Sequence, residues 1–363
     1  MAGIVKGTPK GAGLRWPAEW EPHRATWLGW PHQAEDWPGK LPAIVWVYTE
    51  IVKNLARSEQ VGIFVQNEQV EAGAKDALTK AGVDLSRCEF IRFATDRTWM
   101  RDIAPSFVKA SGAGGEVTMV DWDFNGWAKY DNYERDNQVP ARIAEHRAMR
   151  RYLPTAIGRH GKPEATTVVL EGGSIDGDGE GTMLTTEECL LSDVQARNPG
   201  VDRAAYEGIF ADYLGTEKVL WLGRGIAGDD THGHVDDLAR FVKPGTIVLA
   251  HETDSRDDNY APLQENWEKL QTMTDAKGRR LDVIKLPMPS PVVFDGMRLP
   301  ASYANFYIAN ETVLVPTFND PRDREALGIL AELFPQKRVV GIHAVDLVWG
   351  LGTLHCLSHE EPR

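Results

Sequence analysis

The chain has 363 residues, of which 42% are apolar and 26% charged, and a net charge of −13 at pH 7. That balance is typical of an ordinary globular protein and excludes disordered and fibrous classes. The acid excess argues against a dedicated nucleic-acid binder, which must neutralise phosphates with Lys and Arg. It suits a cationic substrate, since a negative field concentrates cations.

Residues 1–13 read as a flexible leader without the apolar centre of an export signal, and residues 14–363 as one catalytic domain. An aromatic-rich stretch, WPAEWEPHRATWLGWP, opens at Trp16. A helical pattern covers about 43–58, a β-rich run starts at Val61, and a second helix is predicted over 68–80 with a strand near 90–93. Further strand-length runs lie at 118–122, 168–170, 218–222, 246–250, 281–286 and 338–342. Helical stretches fall between several of them, at 202–213, 263–272 and 323–334, and FYIANETVLVPTF from Phe306 reads as a hairpin turning near Asn310 and Glu311. Strands alternating with helices make an α/β protein. The recurrence suits a closed pseudo-symmetric array, and a doubly wound sheet would give a similar pattern.

Cys88, Cys189 and Cys356 are too few and too scattered for a disulfide framework or a zinc knuckle, which fits a reducing, cytoplasmic setting. No apolar run approaches the roughly 18 residues that cross a bilayer, so no membrane partner is expected.

Four segments combine polar residues and glycine inside apolar surroundings: WMRDIAP at Trp99, LEGGSID at Leu170, GDDTHGHVDDLARF at Gly228 and GLGTLHCLS at Gly350. Cys356 follows Gly350 and Gly352, whose flexibility permits a turn that exposes a thiol; a buried core cysteine is the plain alternative. In G-H-V-D, His234 and Asp236 share a face if the segment is a strand. A metal reading through His232, His234 and Asp236 is the alternative. For Asp102 the plain reading is a local salt bridge with Arg101, and for Glu171 a simple turn.

Taken together these residues fit one chemistry. A guanidinium is planar, cationic and deactivated by resonance, so carboxylates must grip its N–H edges and a thiolate is the best nucleophile for its carbon. A histidine then protonates departing ammonia and later activates water. Two aspartates, a cysteine, a histidine and an orienting glutamate supply that set.

WPAEWEPHRATWLGWP, WMRD, LEGGSID, TTEECLL, GDDTHGHVDDLARF, ASYANFYIAN and GTLHCLS together resemble the agmatine deiminase family, in its order and from Trp16 to Ser358. The resemblance implies a five-bladed pseudo-symmetric α/β propeller (pentein) of ββαβ units. It implies Cys356 as nucleophile, His234 as acid/base, Glu171 as its orienting group, and Asp102 and Asp236 as the guanidinium holders. Trp99 would flank the substrate and Asp230 would lie near the far amine. The implied reaction converts agmatine and water to N-carbamoylputrescine and ammonia through a covalent thiouronium, with no metal or organic cofactor, in a homodimer. A deiminase of another guanidine, such as a peptidyl-arginine, and a silent polyamine-binding protein are the alternatives.

Several positions depart from the family pattern: Ile103 and Ala104 replace a small polar residue and a glycine, Leu351 and Thr353 replace glycine and asparagine, and His232 fills a slot of a smaller polar residue. His359, Glu360 and Glu361 stand in place of a glutamine-rich tail. If the glycine replaced by Ala104 takes positive φ, alanine there carries strain on the order of 1 kcal/mol.

Overall fold

The computed structural model describes residues 3–111, 115–156 and 166–363. Local chemistry sets many element ends. Asn67 accepts on its side-chain oxygen from the backbone N–H groups of Gln69 and Val70, each at 3.0 Å, and so starts the helix Glu68–Lys80. Asp202 does the same for Arg203–Leu214 through Ala205 N at 2.9 Å, and Gly215, at φ 72°, ends that helix in the left-handed conformation.

Among the described residues, five mixed sheets repeat one plan: an antiparallel pair, then a helical crossover to a third strand parallel to its neighbour. In the first, Ser106–Ala110 pairs antiparallel with Val117–Val120, and the helix Val139–Arg147 leads to Arg151–Tyr152. The second joins Asp176–Gly177, Thr182–Thr186 and, across Arg203–Leu214, Lys218–Leu222, with Thr182 opposite Lys218 and Thr186 opposite Leu222. The third uses Ala239–Lys243, Thr246–His251 and, across Tyr260–Thr272, Asp282–Pro287. The fourth uses Tyr307–Ile308, Thr312–Thr317 and, across Asp323–Leu333, Arg338–His343.

The fifth sheet is built from both ends of the chain. Ser358–Pro362 lies antiparallel to His23–Gly29, which runs parallel to Gln60–Val65 across the helix Leu41–Leu55, and Cys88–Arg92 adds a fourth strand. Central strands such as Gln60–Val65 and Thr246–His251 are apolar and buried almost throughout, as expected where helices and neighbouring layers cover them. Trp27, Trp37, Tyr48, Phe64 and Tyr307 are fully buried in the largest apolar cluster.

The predicted elements correspond to observed ones with shifts of a few residues at their ends, with two exceptions. Residues 168–170 form no strand: Val169 makes only an isolated bridge with Asp123. The G-H-V-D segment is also no strand, because His232 and Gly233 take positive φ (64° and 97°) and Val235–Asp237 forms a 3-10 turn. At the start of the chain, Val5 N donates to Arg151 O at 2.8 Å and Arg151 N to Gly3 O at 3.1 Å. No helix among the described residues is long and apolar enough to cross a membrane.

The repeated plan has a consequence for chemistry. Ahead of the first strand of each antiparallel pair lies a short turn, and all five turns contribute to one buried site. Met100–Ile103 carries Asp102, Gly172–Ser174 follows Glu171, and Val235–Asp237 follows His234 and carries Asp236. Asn305 stands two residues before Tyr307–Ile308, and Leu354–Leu357 carries Cys356.

Candidate active site

Cys356 is 7% exposed and its sulfur borders a cavity of about 220 Å³, together with Asp102, Trp99, Trp127, Asp230 and Leu351. Its Sγ lies 3.7 Å from Asp236 Oδ2 and 3.0 Å from the Asn305 side-chain amide that donates to it. Asn305 also accepts on Oδ1 from Thr353 Oγ1 at 2.7 Å and from His355 N at 3.0 Å, which fixes the short helix that carries Cys356. Burial pushes the Cys356 thiol well up, and the carboxylates of Asp236, Asp237 and Asp102 push it further.

The two glycines before Cys356 serve close approach instead of flexibility. A Cβ on Gly352 would sit 2.9 Å from the Trp99 ring and 3.1 Å from the Cys356 sulfur, and one on Gly350 would sit 2.7 Å from Trp37 and 2.8 Å from Trp99. The left-handed residue of this loop is Leu351, at φ 67°. Ala104 has φ −81° in an extended conformation, so the strain expected there is absent and falls on Leu351.

His234 is ringed by carboxylates. Its Nδ1 lies 3.9 Å from Asp102 Oδ1 and 4.0 Å from Asp236 Oδ1, and its Nε2 lies 3.6 Å from Glu171 Oε2. Burial alone lowers the imidazole pKa, but Asp102, Cys189 and Glu171 outweigh it and hold the ring well above its ordinary value. Gly173 is required beneath this ring, since a Cβ there would lie 2.5 Å from His234 Nδ1 and 2.8 Å from Asp102 Oδ1. Three buried polar atoms at the centre, His234 Nε2, Glu171 Oε2 and Asp236 Oδ1, make no hydrogen bond.

Each carboxylate is held from behind. Asp102 accepts from Trp127 Nε1 on Oδ2 and from Gly173 N on Oδ1, both at 2.9 Å; burial raises its pKa to about 6 despite His234. Arg101 does not pair with it: that guanidinium turns away to Glu360 at 2.9 Å and Glu19 at 3.1 Å, so the local salt-bridge reading fails. Asp236 Oδ2 meets His355 Nδ1 at 2.7 Å, and the other ring nitrogen of His355 meets Glu19 Oε2 at 2.7 Å. Although burial raises the Asp236 pKa, the His355 contact overrides it and the net shift is downward. Glu171 is fully buried and accepts from Arg197 Nε at 3.0 Å; burial raises its pKa, but Arg197 and His234 bring it down to about 2.

The cavity mouth holds the remaining expected residues. Trp99 is 5% exposed and donates from its indole nitrogen to Asp36 Oδ2 at 3.2 Å, while Asp36 also pairs with Arg97. Asp230 lines the same cavity, but its carboxylate is already engaged by Lys129 and by the Tyr130 hydroxyl. His232 stands apart, with Nε2 3.2 Å from Ser192 Oγ. Among the described residues, donor trios close enough to share an ion are Glu171, Cys189 and His234, and Asp236, Asp237 and Cys356; His232 joins neither, so the trio with His234 and Asp236 does not assemble.

Asn305, His355, Glu19, Trp127 and Arg197 are site residues that the pattern of the sequence left without a role. The only available signal for Asn305 was its place in ASYANFYIAN, as an amide within a largely apolar run.

A buried thiol beside paired carboxylates and a carboxylate-ringed histidine, on five repeated mixed sheets, defines a protein of the guanidine-modifying class. The chain belongs to the Porphyromonas-type peptidyl-arginine deiminase family, whose sequence model matches residues 15–362, and within it to the agmatine deiminases. It is 37% identical over 379 residues to the agmatine deiminase of Pseudomonas fluorescens, covering 98% of this chain and 97% of that one. Among solved structures, the agmatine deiminase of Enterococcus faecalis superposes with a TM-score of 0.89 at 34% identity over 100% of both chains. An arginine deiminase from Porphyromonas gingivalis, itself described as putative, gives a TM-score of 0.83 at 31% identity over 96% of this chain and 98% of that one.

Proposed function

We propose that the chain is an agmatine deiminase, a C–N hydrolase that converts agmatine and water to N-carbamoylputrescine and ammonia. The observation that carries this reading is the position of Cys356 Sγ, 3.7 Å from Asp236 and in one cavity with Asp102. A planar cation seated between these two aspartates presents its carbon to the sulfur and its N–H edges to carboxylate oxygens.

The charges give a sequence of steps. In the free enzyme the carboxylates hold Cys356 protonated. A bound guanidinium offsets them, so the thiol releases its proton to solvent and substrate promotes its own attack. Sulfur then bonds the guanidinium carbon and forms a tetrahedral adduct. His234, held in its protonated form by the surrounding carboxylates, donates to the departing nitrogen, and ammonia leaves behind an S-alkylthiouronium on Cys356. The now neutral His234 takes a proton from water, whose hydroxide adds to the same carbon; collapse of this second adduct breaks the C–S bond, and the hydroxyl proton passes to the departing sulfur as the ureido product forms. Glu171, held by Arg197, keeps the imidazole in place.

The same reading extends to architecture and setting. The five sheets are taken as blades of a five-bladed α/β propeller of ββαβ units, with residues 14–363 as one catalytic domain following a short leader. A homodimer in the cytoplasm, without cofactor or nucleic-acid partner, completes the proposal.

Ammonia release from the purified protein tests it, with agmatine, arginine, a peptidyl-arginine and butylguanidine as substrates. Turnover of agmatine above the others, abolished by Cys356→Ser, supports the reading. Preference for the peptidyl-arginine moves the substrate while keeping the mechanism. Silence on all four overturns the enzyme and leaves a polyamine-binding protein.

A further inference from the structure

A cation of the chain itself is paired with an acid that lines the cavity. Lys129 Nζ is ion-paired with Asp230 Oδ1, and Tyr130 donates its hydroxyl to Asp230 Oδ2 at 2.7 Å, so both oxygens of this cavity acid are engaged. The arrangement is built by the backbone. Gly126, Trp127 and Ala128 take φ of 65°, 57° and 53°, a left-handed turn that Asn125 caps by accepting from Ala128 N at 2.9 Å. Two of those residues are not glycine and carry left-handed strain.

Gln195 then locks this turn to the opposite wall. Its side-chain amide donates to Trp127 O at 3.2 Å and to Asp230 O at 3.1 Å, which fixes the distance between the loop of Lys129 and the loop of Asp230. The ammonium also lies 5.5 Å from the centre of the Tyr130 ring, and Arg97 covers that ring at 4.4 Å. Yet the Lys129 side chain is 40% exposed, on a flexible four-carbon stem. Ion pairs this open hold by a small margin. The cation can therefore be displaced into solvent by a competitor that fits.

We propose that Lys129 is a tethered competitor at the amine subsite, neutralising Asp230 in the empty enzyme and yielding it to the terminal ammonium of the substrate. The proposal rests on agmatine as substrate. It makes Lys129 a specificity-determining residue: it weakens selection for guanidines with a second positive charge over those with a neutral tail. A lysine side chain in place also keeps an uncompensated acid from drawing other cations into the cavity.

Agmatine and butylguanidine, which share a guanidinium and differ in the terminal charge, separate this role from a structural one. Lys129→Met is expected to lower KM for agmatine about fivefold, about 1 kcal/mol at 1.4 kcal/mol per tenfold, with kcat and the KM for butylguanidine within about twofold. Lys129→Arg, which keeps the cation, should behave as the parent enzyme, and added salt should narrow the gap between parent and Lys129→Met. An unchanged or higher KM for agmatine in Lys129→Met, in a parent enzyme that turns agmatine over, overturns the competitor. A parent enzyme silent on agmatine overturns the functional reading and the competitor with it.

Discussion

The indole nitrogen of Trp127 donates to Asp102 Oδ2 at 2.9 Å, from a residue whose own backbone is held at φ 57°. The strained turn thus places one neutral donor behind a carboxylate that borders the cavity beside Cys356. A hydrogen bond to a charged group contributes roughly 1.5–3 kcal/mol. Trp127→Phe keeps an aromatic ring against Phe124, removes the donor and vacates part of the buried indole volume. The expected outcome is a loss of about tenfold in kcat/KM, or about 1.4 kcal/mol, with a lowered melting temperature from the lost bond and the vacated volume. A variant within twofold of the parent would mean that Gly173 N alone suffices to orient Asp102.

The same carboxylate sets the acid side of the pH profile. Burial raises Asp102 to about 6, and only its ionised form grips a guanidinium. The rate parameter kcat/KM should therefore fall as pH drops through about 6, since it reports the free enzyme. Bound cation favours the ionised form, so the limb in kcat should lie at lower pH. Trp127→Phe removes a bond that lowers the Asp102 pKa and should shift the kcat/KM limb upward. Initial rates between pH 4.5 and 8 decide this; coincident limbs in both parameters would contradict it.

How much of this was legible in the sequence depends on the element. The helix at 68–80 and the strand at 218–222 coincide with the structure because Asn67 supplies a cap and KVLWL supplies an apolar run of strand length. G-H-V-D misled, since alternation says nothing about the positive φ of His232 and Gly233 that bends the chain into a 3-10 turn. His234 and Asp236 still converge, but through the turn, not through a shared strand face. Spacing alone suggested a closed pseudo-symmetric recurrence but not its fivefold count, because the five turns share position and not residue type: Asp, Glu, His with Asp, Asn and Cys. Asn305 is the member that fills the fourth turn, and a neutral amide in an apolar run carries no chemical signal of its own. Family resemblance, which spans the whole chain, supplied the grouping that spacing could not.

Glu171 and Arg197 form an ion pair with both side chains fully buried. Replacing one partner leaves the other charge uncompensated, at a cost of roughly 3–5 kcal/mol. Glu171→Gln should accordingly lower stability at pH 7 by that order, in addition to impairing catalysis. The pH dependence gives a second signature. Because the folded pKa of Glu171 is lowered from 4.5 to about 2, its contribution is complete above pH 4.5 and is lost as pH falls toward 2. That contribution amounts to roughly 3 kcal/mol at 1.36 kcal/mol per pH unit. Denaturant midpoints from pH 7 down to pH 3 should therefore fall less steeply for Glu171→Gln than for the parent. Parallel curves would assign the acid sensitivity to other carboxylates.

Leu351 and Ala104 provide a pair of opposite tests for backbone strain. Leu351 holds φ 67° in the loop that leads to Cys356, whereas Ala104 sits at φ −81° in extended backbone. For a residue with a Cβ the left-handed conformation costs roughly 1–2 kcal/mol, and glycine escapes that cost. Leu351→Ala loses half-buried apolar contact and keeps the strain, while Leu351→Gly loses the same contact and releases it. Glycine should thus be the more stable of the two at position 351 by about 1 kcal/mol. At position 104 the order should reverse: Ala104→Gly should cost roughly 0.5–1 kcal/mol, because it adds freedom to the unfolded chain without relieving anything. Thermal or denaturant unfolding of Leu351→Ala, Leu351→Gly and Ala104→Gly against the parent reads both differences. Alanine exceeding glycine at position 351 would show that the loop relaxes out of the left-handed conformation once the leucine side chain is gone.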